Sequence, residues 1–286
     1  MEYAYYPGCS LESTACEYHT SVQAVFAALG VELQELEGWN CCGASSAHSL
    51  NPSLAFLLPA RNLAIAQAAG RNVVMPCAAC FNRHVTVDHE LRTQDRRRVF
   101  AEESLDFRFT GSVAVRALLE VIGRDIGLDR VRARVYRPLT GLQVVGYYGC
   151  LLVRPPEITH FDDPDHPVLM ESLLGVLGAQ VQPWSYATDC CGGSLAITAA
   201  RTAARLVNRL AERAREAGAQ AIVTSCPLCQ LNLEMRQDKS GPPMPIFYFT
   251  ELMALAFGLE QSAHDWKKHL IDPTGLLQSL QISGER

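Results

Sequence analysis

Hydrophobic and polar positions alternate along this chain with two periods, one typical of β-strands and one typical of α-helices. Short runs of β-branched and aromatic residues predict strands over residues 2–6, 72–75, 142–148 and 221–224. Longer runs predict helices, each ending at a glycine, over residues 14–29, 52–69, 167–177 and 195–217. The alternation of strand and helix predicts βαβ units and a mostly parallel sheet in each half of the chain.

Composition and charge narrow the class of protein. Apolar residues make up 48% of the 286 residues and charged residues 19%, as in folded globular proteins. A net charge of −5 offers no basic surface, so a nucleic-acid partner is not expected. The first residues lack the basic start and apolar run of a secretory signal, and no run of apolar residues approaches the length of a membrane span. These features predict a cytoplasmic protein without a transmembrane segment.

The eleven cysteines carry the strongest pattern in the sequence. Without Cys16, ten cysteines form two sets of the same order: a single cysteine, an adjacent pair followed by glycine, and a CxxC motif. The pair and the CxxC motif are separated by 34 residues in both sets. This regularity indicates a duplicated domain, with boundaries that we predict at residues 1–139 and 140–286. The two sets are Cys9, Cys41, Cys42, Cys77 and Cys80, and Cys150, Cys190, Cys191, Cys226 and Cys229.

The predicted strands lead into these cysteines. In open parallel sheets, ligands gather outside the carboxyl ends of the strands, so each half should collect its five thiols there. The loops also lead into helix N-termini, which favour the thiolate form that binds metals. Between the halves, residues 93–139 contain many arginines, and we interpret this region as a solvated face or linker, with a partner-docking surface as the alternative.

Thiols of a cytoplasmic chain point to metal or redox chemistry, because that compartment keeps cysteines reduced. Four thiolates suit tetrahedral zinc and a four-iron cluster equally well. The fifth cysteine favours iron–sulfur, since structural zinc has no use for it. Zinc at one of the two sites stays open as an alternative.

The order C…CCG…CxxC resembles the CCG domain, a duplicated cysteine-rich module of the B subunits of heterodisulfide reductases and their bacterial relatives. The resemblance extends from residue 3 to about residue 273, and both motifs are complete. It implies two similar α/β domains related by pseudo-two-fold symmetry. It also implies that each five-cysteine set binds one noncubane [4Fe-4S] cluster, with the two clusters facing one another near the domain interface.

The resemblance further implies an oxidoreductase acting on sulfur groups. Such a catalytic subunit reduces or forms a disulfide by paired one-electron transfers from the two clusters, with one substrate sulfur captured on an iron of each. Electrons would come from two partners, one similar to the iron–sulfur C subunit and one to the flavin-containing A subunit of these enzymes, because this chain has no GxGxxG fingerprint and no additional ferredoxin-type cysteine run. The alternatives are a quinone-linked iron–sulfur electron-transfer subunit of a dehydrogenase complex and a zinc-stabilised scaffold.

Few other residues stand out as candidates for chemistry. His48 follows the first cysteine pair, and His160 lies in an insertion of the second repeat. Either could give a proton to a departing thiolate, although both are more simply structural or exposed. We expect Cys16 and the tyrosines before Cys9 and Cys150 to be core residues. Residues 246–259 are interpreted as core or a subunit contact, with a membrane-surface helix as the alternative.

Overall fold

Two parallel sheets of four strands form the framework of the protein. The computed structural model describes residues 1–44, 46–238, 241–260 and 265–282. The strands are β1 (Glu2–Tyr5), β2 (Glu32–Glu35), β3 (Val73–Met75), β4 (Val115–Ala117), β5 (Gln143–Tyr147), β6 (Gln180–Val181), β7 (Ala221–Thr224) and β8 (Ile246–Tyr248). The first sheet has the order β2-β1-β3-β4 and the second β6-β5-β7-β8, with all neighbours parallel. The repeated order confirms the predicted pair of similar α/β units.

Helices flank the first sheet and form its connections. They are α1 (Cys16–Ala28), α2 (Ser46–Leu50), α3 (Pro52–Ala69), α4 (Ala78–Thr93), α5 (Asp95–Leu105), α6 (Leu118–Glu120) and α7 (Leu128–Arg132), with a π-helical stretch at Val121–Gly127 between the last two. Helix α3 has the predicted bounds because local signals fix both ends. The Asn51 side chain accepts hydrogen bonds from the first amides of the helix, and Gly70 ends it in the left-handed conformation at φ 66°.

The second sheet is flanked in the same way. Its helices are α8 (Pro156–Thr159), α9 (Leu169–Val176), α10 (Ala200–Glu216), α11 (Pro227–Met235), α12 (Phe249–Ala256) and α13 (Thr274–Ser279), with short 3₁₀ turns at Gly193–Leu195 and Trp266–Lys268. Helix α10 begins five residues later than predicted. The reason is that a 3₁₀ turn and a further turn occupy the segment after the second cysteine pair.

Each sheet contains strands that the hydrophobic pattern did not predict. Strand β2 is a polar edge strand without a fully buried residue, and β6 has only two residues. Strand β4 lies inside the region interpreted as a solvated face or linker, which therefore completes the first sheet rather than merely joining the halves. Helix α5 carries the arginine run and buries only Ala101, so it does fit the interpretation as a solvated face.

The two halves pack against each other through α1 and α12. The Ser21 and Thr250 hydroxyls lie 2.6 Å apart in this buried contact. The segment from β8 through α12 is almost wholly buried, which confirms its interpretation as core. No helix in the described part of the chain is long and apolar enough to cross a membrane.

Candidate functional site

All ten motif cysteines lie in loops or helix starts after the carboxyl ends of the strands. Cys9 follows β1, the pair Cys41 and Cys42 follows β2, and Cys77 lies between β3 and α4. Because β2, β1 and β3 are adjacent in the sheet, their loops meet at one edge. The second half repeats this placement after β6, β5 and β7. We call the two groups of five cysteines the first and the second thiol site.

The same pairs of thiols come into contact in both halves. The single cysteine meets the first member of the adjacent pair: the sulfurs of Cys9 and Cys41 are 3.7 Å apart, and those of Cys150 and Cys190 also form a hydrogen bond. The second member of the pair meets the last cysteine of the CxxC motif. This sulfur–sulfur distance is 3.3 Å for Cys42 and Cys80, and 3.6 Å for Cys191 and Cys229.

The two thiol sites touch each other. Cys77 of the first site and Cys226 of the second are buried, and a hydrogen bond between their thiols raises the pKa of Cys77 and lowers that of Cys226. Each is the first cysteine of its CxxC motif and lies at the start of the helix that follows the strand. At its other end each site reaches solvent, since Cys9 and Cys41 of the first site and Cys190 of the second are exposed. Each site is therefore open at one end and joined to its partner site at the other.

Tyr18 lies at the junction of the sites. Its hydroxyl is 3.0 Å from the carbonyl oxygen of Ser225 and 3.3 Å from that of Pro76, the residues directly before Cys226 and Cys77. The side chain is fully buried, and one hydroxyl thus connects both CxxC loops. No sequence signal points to this role, because Tyr18 has the spacing of any apolar residue on the buried face of α1.

Glycines before the single cysteines allow a close approach of thiol to backbone. Gly8 and Gly149 have positive φ angles of 74° and 66°. A Cβ atom on Gly8 would lie 3.2 Å from the sulfur of Cys80, and one on Gly149 would lie 3.2 Å from that of Cys229. A side chain at either position would be strained and would press on a thiol.

Backbone and tyrosine hydrogen bonds support the adjacent cysteine pairs in both halves. The amide of Gly43 donates to the sulfur of Cys41 at 3.4 Å, and the amide of Gly192 donates to that of Cys190 at 3.2 Å. The Tyr6 hydroxyl donates to the carbonyl of Asn40 at 2.9 Å, just before the first pair. In the second half, Tyr147 donates in the same way to the carbonyl before the second pair, at 2.7 Å. The prediction that these tyrosines are buried is confirmed.

In each half, the single cysteine and the first cysteine of the adjacent pair differ in pKa because their thiols are hydrogen-bonded. One of the two ionises easily and the other stays protonated. The hydrogen bond from Cys150 lowers the pKa of Cys190 to about 6, and the amide of Gly192 adds to this effect. The same bond raises the pKa of Cys150, helped by burial. In the first half, hydrogen bonds with Cys42 and Cys9 lower the pKa of Cys41. One thiolate at the exposed rim of each site is thus available as a metal ligand.

The two sites differ in the side chains that hydrogen-bond to the backbone of their buried cysteines, on the side of each site away from solvent. Behind the first, His84 is fully buried, with Nδ1 2.7 Å from the carbonyl of Cys80 and Nε2 3.1 Å from the amide of Asn62. Burial lowers the pKa of His84 to about 4, so the ring is neutral at pH 7. Behind the second, the Asn232 amide donates to the carbonyl of Cys191 at 2.7 Å.

The remaining candidates lie outside the thiol clusters. His48 is exposed on α2, and it lines a cavity of about 280 Å³ together with Arg83 and Phe56. His160 is exposed and ends α8 in a left-handed conformation. Cys16 is only partly buried at the start of α1, where its thiol donates to the carbonyl of Ser13, so the expectation of a core position was wrong.

The donors of both sites suit a thiolate-ligated centre. They are sulfur atoms supported by backbone amides, and soft thiolate ligands select zinc, copper(I) and iron–sulfur clusters. Hydrogen bonds link neighbouring sulfurs within each set, and no three His, Cys, Asp or Glu side chains in the described ranges are grouped as ligands of one metal ion.

The chain is similar to known redox proteins over most of its length. It is 31% identical over 283 residues to the 8-methylmenaquinol:fumarate reductase membrane anchor subunit of Wolinella succinogenes, covering 96% of this chain and 99% of the relative. It is 26% identical to a protein of Archaeoglobus profundus that is named as similar to the heterodisulfide reductase B subunit, covering 91% and 92%. It is 25% identical to the B subunit of a ferredoxin/F420H2-dependent CoB-CoM heterodisulfide reductase of Methanosarcina acetivorans, covering 88% and 85%.

A crystal structure of a hypothetical protein from Helicobacter pylori shares the fold, with a TM-score of 0.72 at 10% identity over 95% of this chain. The chain spans about half of that protein, 52% of its length. The curated relatives are subunits of redox enzymes, and they support an iron–sulfur electron-transfer subunit. The model of the CCG cysteine-rich domain matches residues 3–83 and 144–234, which contain both complete motifs. The chain therefore belongs to the CCG cysteine-rich domain family.

Proposed function

We propose that this chain is the catalytic iron–sulfur subunit of a heterodisulfide-reductase-like complex, reducing or forming a disulfide. The observation that carries the proposal is the contact of the two thiol sites at Cys77 and Cys226, combined with exposed thiols at the outer ends of both sites. Two redox sites in contact suit a reaction that needs two electrons delivered one at a time. Relatives named for the B subunit of heterodisulfide reductases support the substrate class.

The ten cysteines would hold one noncubane [4Fe-4S] cluster per site. Bound there, the clusters would supply one electron each and a Lewis-acidic iron for each sulfur of the substrate. Residues of the chain itself position and stabilise the sites. Tyr18 fixes the spacing of the two CxxC loops, and the amides of Gly43 and Gly192 stabilise negative charge on sulfur. The exposed thiols mark where substrate or another protein of the complex can approach, and they belong to Cys9, Cys41 and Cys190.

Partner proteins of the complex would feed the sites with electrons. By analogy with the heterodisulfide reductases, one would be similar to their iron–sulfur C subunit and the other to their flavin-containing A subunit. The proposed location is the cytoplasm, in keeping with the need for reduced thiols.

A second candidate function is electron transfer linked to a quinone. It is favoured by the relative of Wolinella succinogenes, which is 31% identical, matches 99% of its own length and is named for a methylmenaquinol:fumarate reductase. In that case the two sites would form a relay between quinol and a partner enzyme, and the exposed thiol ends would face protein or membrane instead of a soluble disulfide.

Metal analysis tests whether the chain binds two iron–sulfur clusters, which both candidate functions require. We expect about eight iron and about eight acid-labile sulfide per chain in anaerobically purified protein. The variants Cys42→Ala and Cys191→Ala should each lose about half of both. Zinc in place of iron at one site would leave a single redox centre and argue against paired electron transfer, and zinc alone would support a scaffold.

Turnover separates the two candidates. The protein is reduced with viologen, and reoxidation is followed after addition of low-molecular-weight disulfides or of a water-soluble menaquinone analogue. Reoxidation by disulfides that is lost in both cysteine variants supports the sulfur chemistry. Reoxidation by the quinone alone, together with binding to liposomes, supports the quinone-linked function and contradicts the disulfide proposal.

A further inference from the structure

The internal repeat allows the charges around the two thiol sites to be compared position by position. The third residue after the last motif cysteine is Arg83 in the first half and Asn232 in the second. The residue directly before the adjacent cysteine pair is Asn40 in the first half and Asp189 in the second. Both differences make the first site the more positive of the two.

The first difference is an arginine. Arg83 is half-buried, lies close enough to Cys42 for their charges to interact, and forms no ion pair with any residue in the described ranges. Its Nε is buried without a hydrogen-bond partner among those same residues. At the corresponding position, neutral Asn232 donates to the carbonyl of Cys191. The guanidinium charge behind the first site is therefore replaced by a neutral amide behind the second.

The second difference is a carboxylate. Asp189 stands directly before Cys190 and opposes negative charge on its thiol. Arg209 pairs with this carboxylate at 2.7 Å. In the first half, Arg61 takes the corresponding place and donates to the neutral side chain of Asn40 at 2.9 Å. An arginine is thus present in both halves, but only the second half balances it with an acid at this position.

From these contacts we propose that the first thiol site is the electron-accepting member of the pair, with the higher reduction potential, and that Arg83 and Asp189 set the difference. The inference rests on the proposed iron–sulfur function. Reduction adds one negative charge to a site, which a nearby cation stabilises and a nearby anion opposes, most strongly in a low-dielectric interior.

The proposal fixes a direction for electrons within the chain. One electron enters the second site from a one-electron donor of another protein in the complex, and it crosses to the first site where Cys77 and Cys226 meet. The donor is oxidised by one electron and the first site is reduced by one. The protein that supplies electrons should therefore dock near the exposed Cys190. A first electron held at the first site leaves the second site free to take the next, so that each site comes to hold one electron.

A redox titration followed by electron paramagnetic resonance tests the proposal on the full-length chain. Signals are assigned with Cys42→Ala and Cys191→Ala, which each remove one site. We expect two midpoint potentials in the wild type, the higher belonging to the first site. Arg83→Gln should lower that midpoint without moving the other, and Asp189→Asn should raise the midpoint of the second site.

Two further variants separate charge from structure. Arg83→Lys keeps the charge and should keep the midpoint, even if the glutamine variant binds less iron. Arg97→Gln removes an arginine from the same cavity that is already paired with Glu90, and it should change neither midpoint. A first-site midpoint at or below that of the second site, or an Arg83→Gln variant that shifts both equally, would overturn the proposal. Protein without iron–sulfur signals would instead contradict the proposed function itself.

Discussion

The rings of Tyr18 and Tyr248 stack across the domain interface with their centroids 4.0 Å apart and their planes within 1° of parallel. Tyr18 belongs to the first half and Tyr248 to the second, and both side chains are fully buried. The stack lies against the loops that carry Cys77 and Cys226, because the Tyr18 hydroxyl reaches the carbonyls just before both cysteines. This aromatic pair therefore helps to fix the position of the thiol sites relative to each other.

Tyr18→Phe should weaken this junction moderately, whereas Tyr18→Ala should disrupt it. The phenylalanine keeps the stack and removes one shared hydrogen-bond donor, at a cost of about 0.5–1.5 kcal/mol in the free energy of unfolding. The alanine also leaves a cavity, at a cost of about 3–5 kcal/mol. Anaerobic urea unfolding followed by circular dichroism measures both. Equal losses in the two variants would show that the ring does not matter.

A buried charged group in the second half predicts a pH dependence of stability. His269 lies between Glu234 and Glu251, with ring nitrogens 3.0 and 2.9 Å from their oxygens, and all three side chains are buried. Burial opposes the charge on His269, but the two carboxylates outweigh it and raise the pKa to about 11. The folded protein therefore holds a proton that the unfolded chain releases at about pH 6.5.

Because the folded pKa is raised, the stabilisation from His269 is complete below pH 6.5 and is lost as the pH rises toward 11. His269→Gln should cost about 3–5 kcal/mol near pH 6.5, since two buried carboxylates lose their cation. The difference between wild type and variant should shrink between pH 7 and pH 10 in urea unfolding. A difference that grows over this range would contradict a charged His269.

A side chain at Gly149 should affect the second thiol site directly. Gly149→Ala combines the strain of a positive φ with a Cβ atom 3.2 Å from the sulfur of Cys229. Gly38 provides a matched control, because its φ is 74° but no described atom lies within 4 Å of an added Cβ. Both variants should lose about 1–2 kcal/mol of stability from backbone strain. Only Gly149→Ala should also lose iron, measured per chain, and equal iron content would refute a role in shaping the site.

We expect Asn82, a residue of the first half, to stabilise the second thiol site. It lies two residues after Cys80, and its amide donates to the carbonyls of Leu151 at 3.0 Å and Arg154 at 2.7 Å in the loop after Cys150. Asn82→Ala should therefore loosen the second site although the change is in the first half, lowering the intensity of the second-site resonance signal. Asn208→Ala, which removes two similar donated hydrogen bonds and one accepted from the amide of Asp238, all within the second half, serves as the control. Loss confined to the first site would contradict the connection.

Local sequence signals determine much of this fold. The bounds of α3 and β7 agree with the hydrophobic pattern residue by residue, because Asn51, Pro52 and Gly70 mark the helix and β-branched residues fill the strand. Strands β2 and β4 were missed since an edge strand needs no fully apolar face and a three-residue strand has too few positions to show a period. Spacing alone grouped the ten cysteines.

The spacing of the cysteines in the sequence could not predict which other residues contact them. Contacts such as Tyr18 with Ser225 join residues far apart in the sequence, and they depend on how two finished sheets pack. The asymmetry between Arg83 and Asn232 was visible in the sequence, but it gained meaning only when the structure placed both residues behind corresponding thiols.

The burial of Cys77 and Cys226 at the contact of the halves also bears on how the protein matures. Both thiols are shielded once the halves have docked, and Tyr18 holds the loops that carry them. Metal binding and folding are coupled wherever ligands come from separate segments of a chain. If the sites hold the proposed clusters, iron and sulfide would therefore have to reach Cys77 and Cys226 before or during closure of the interface, so maturation of the protein would depend on the order of these two events.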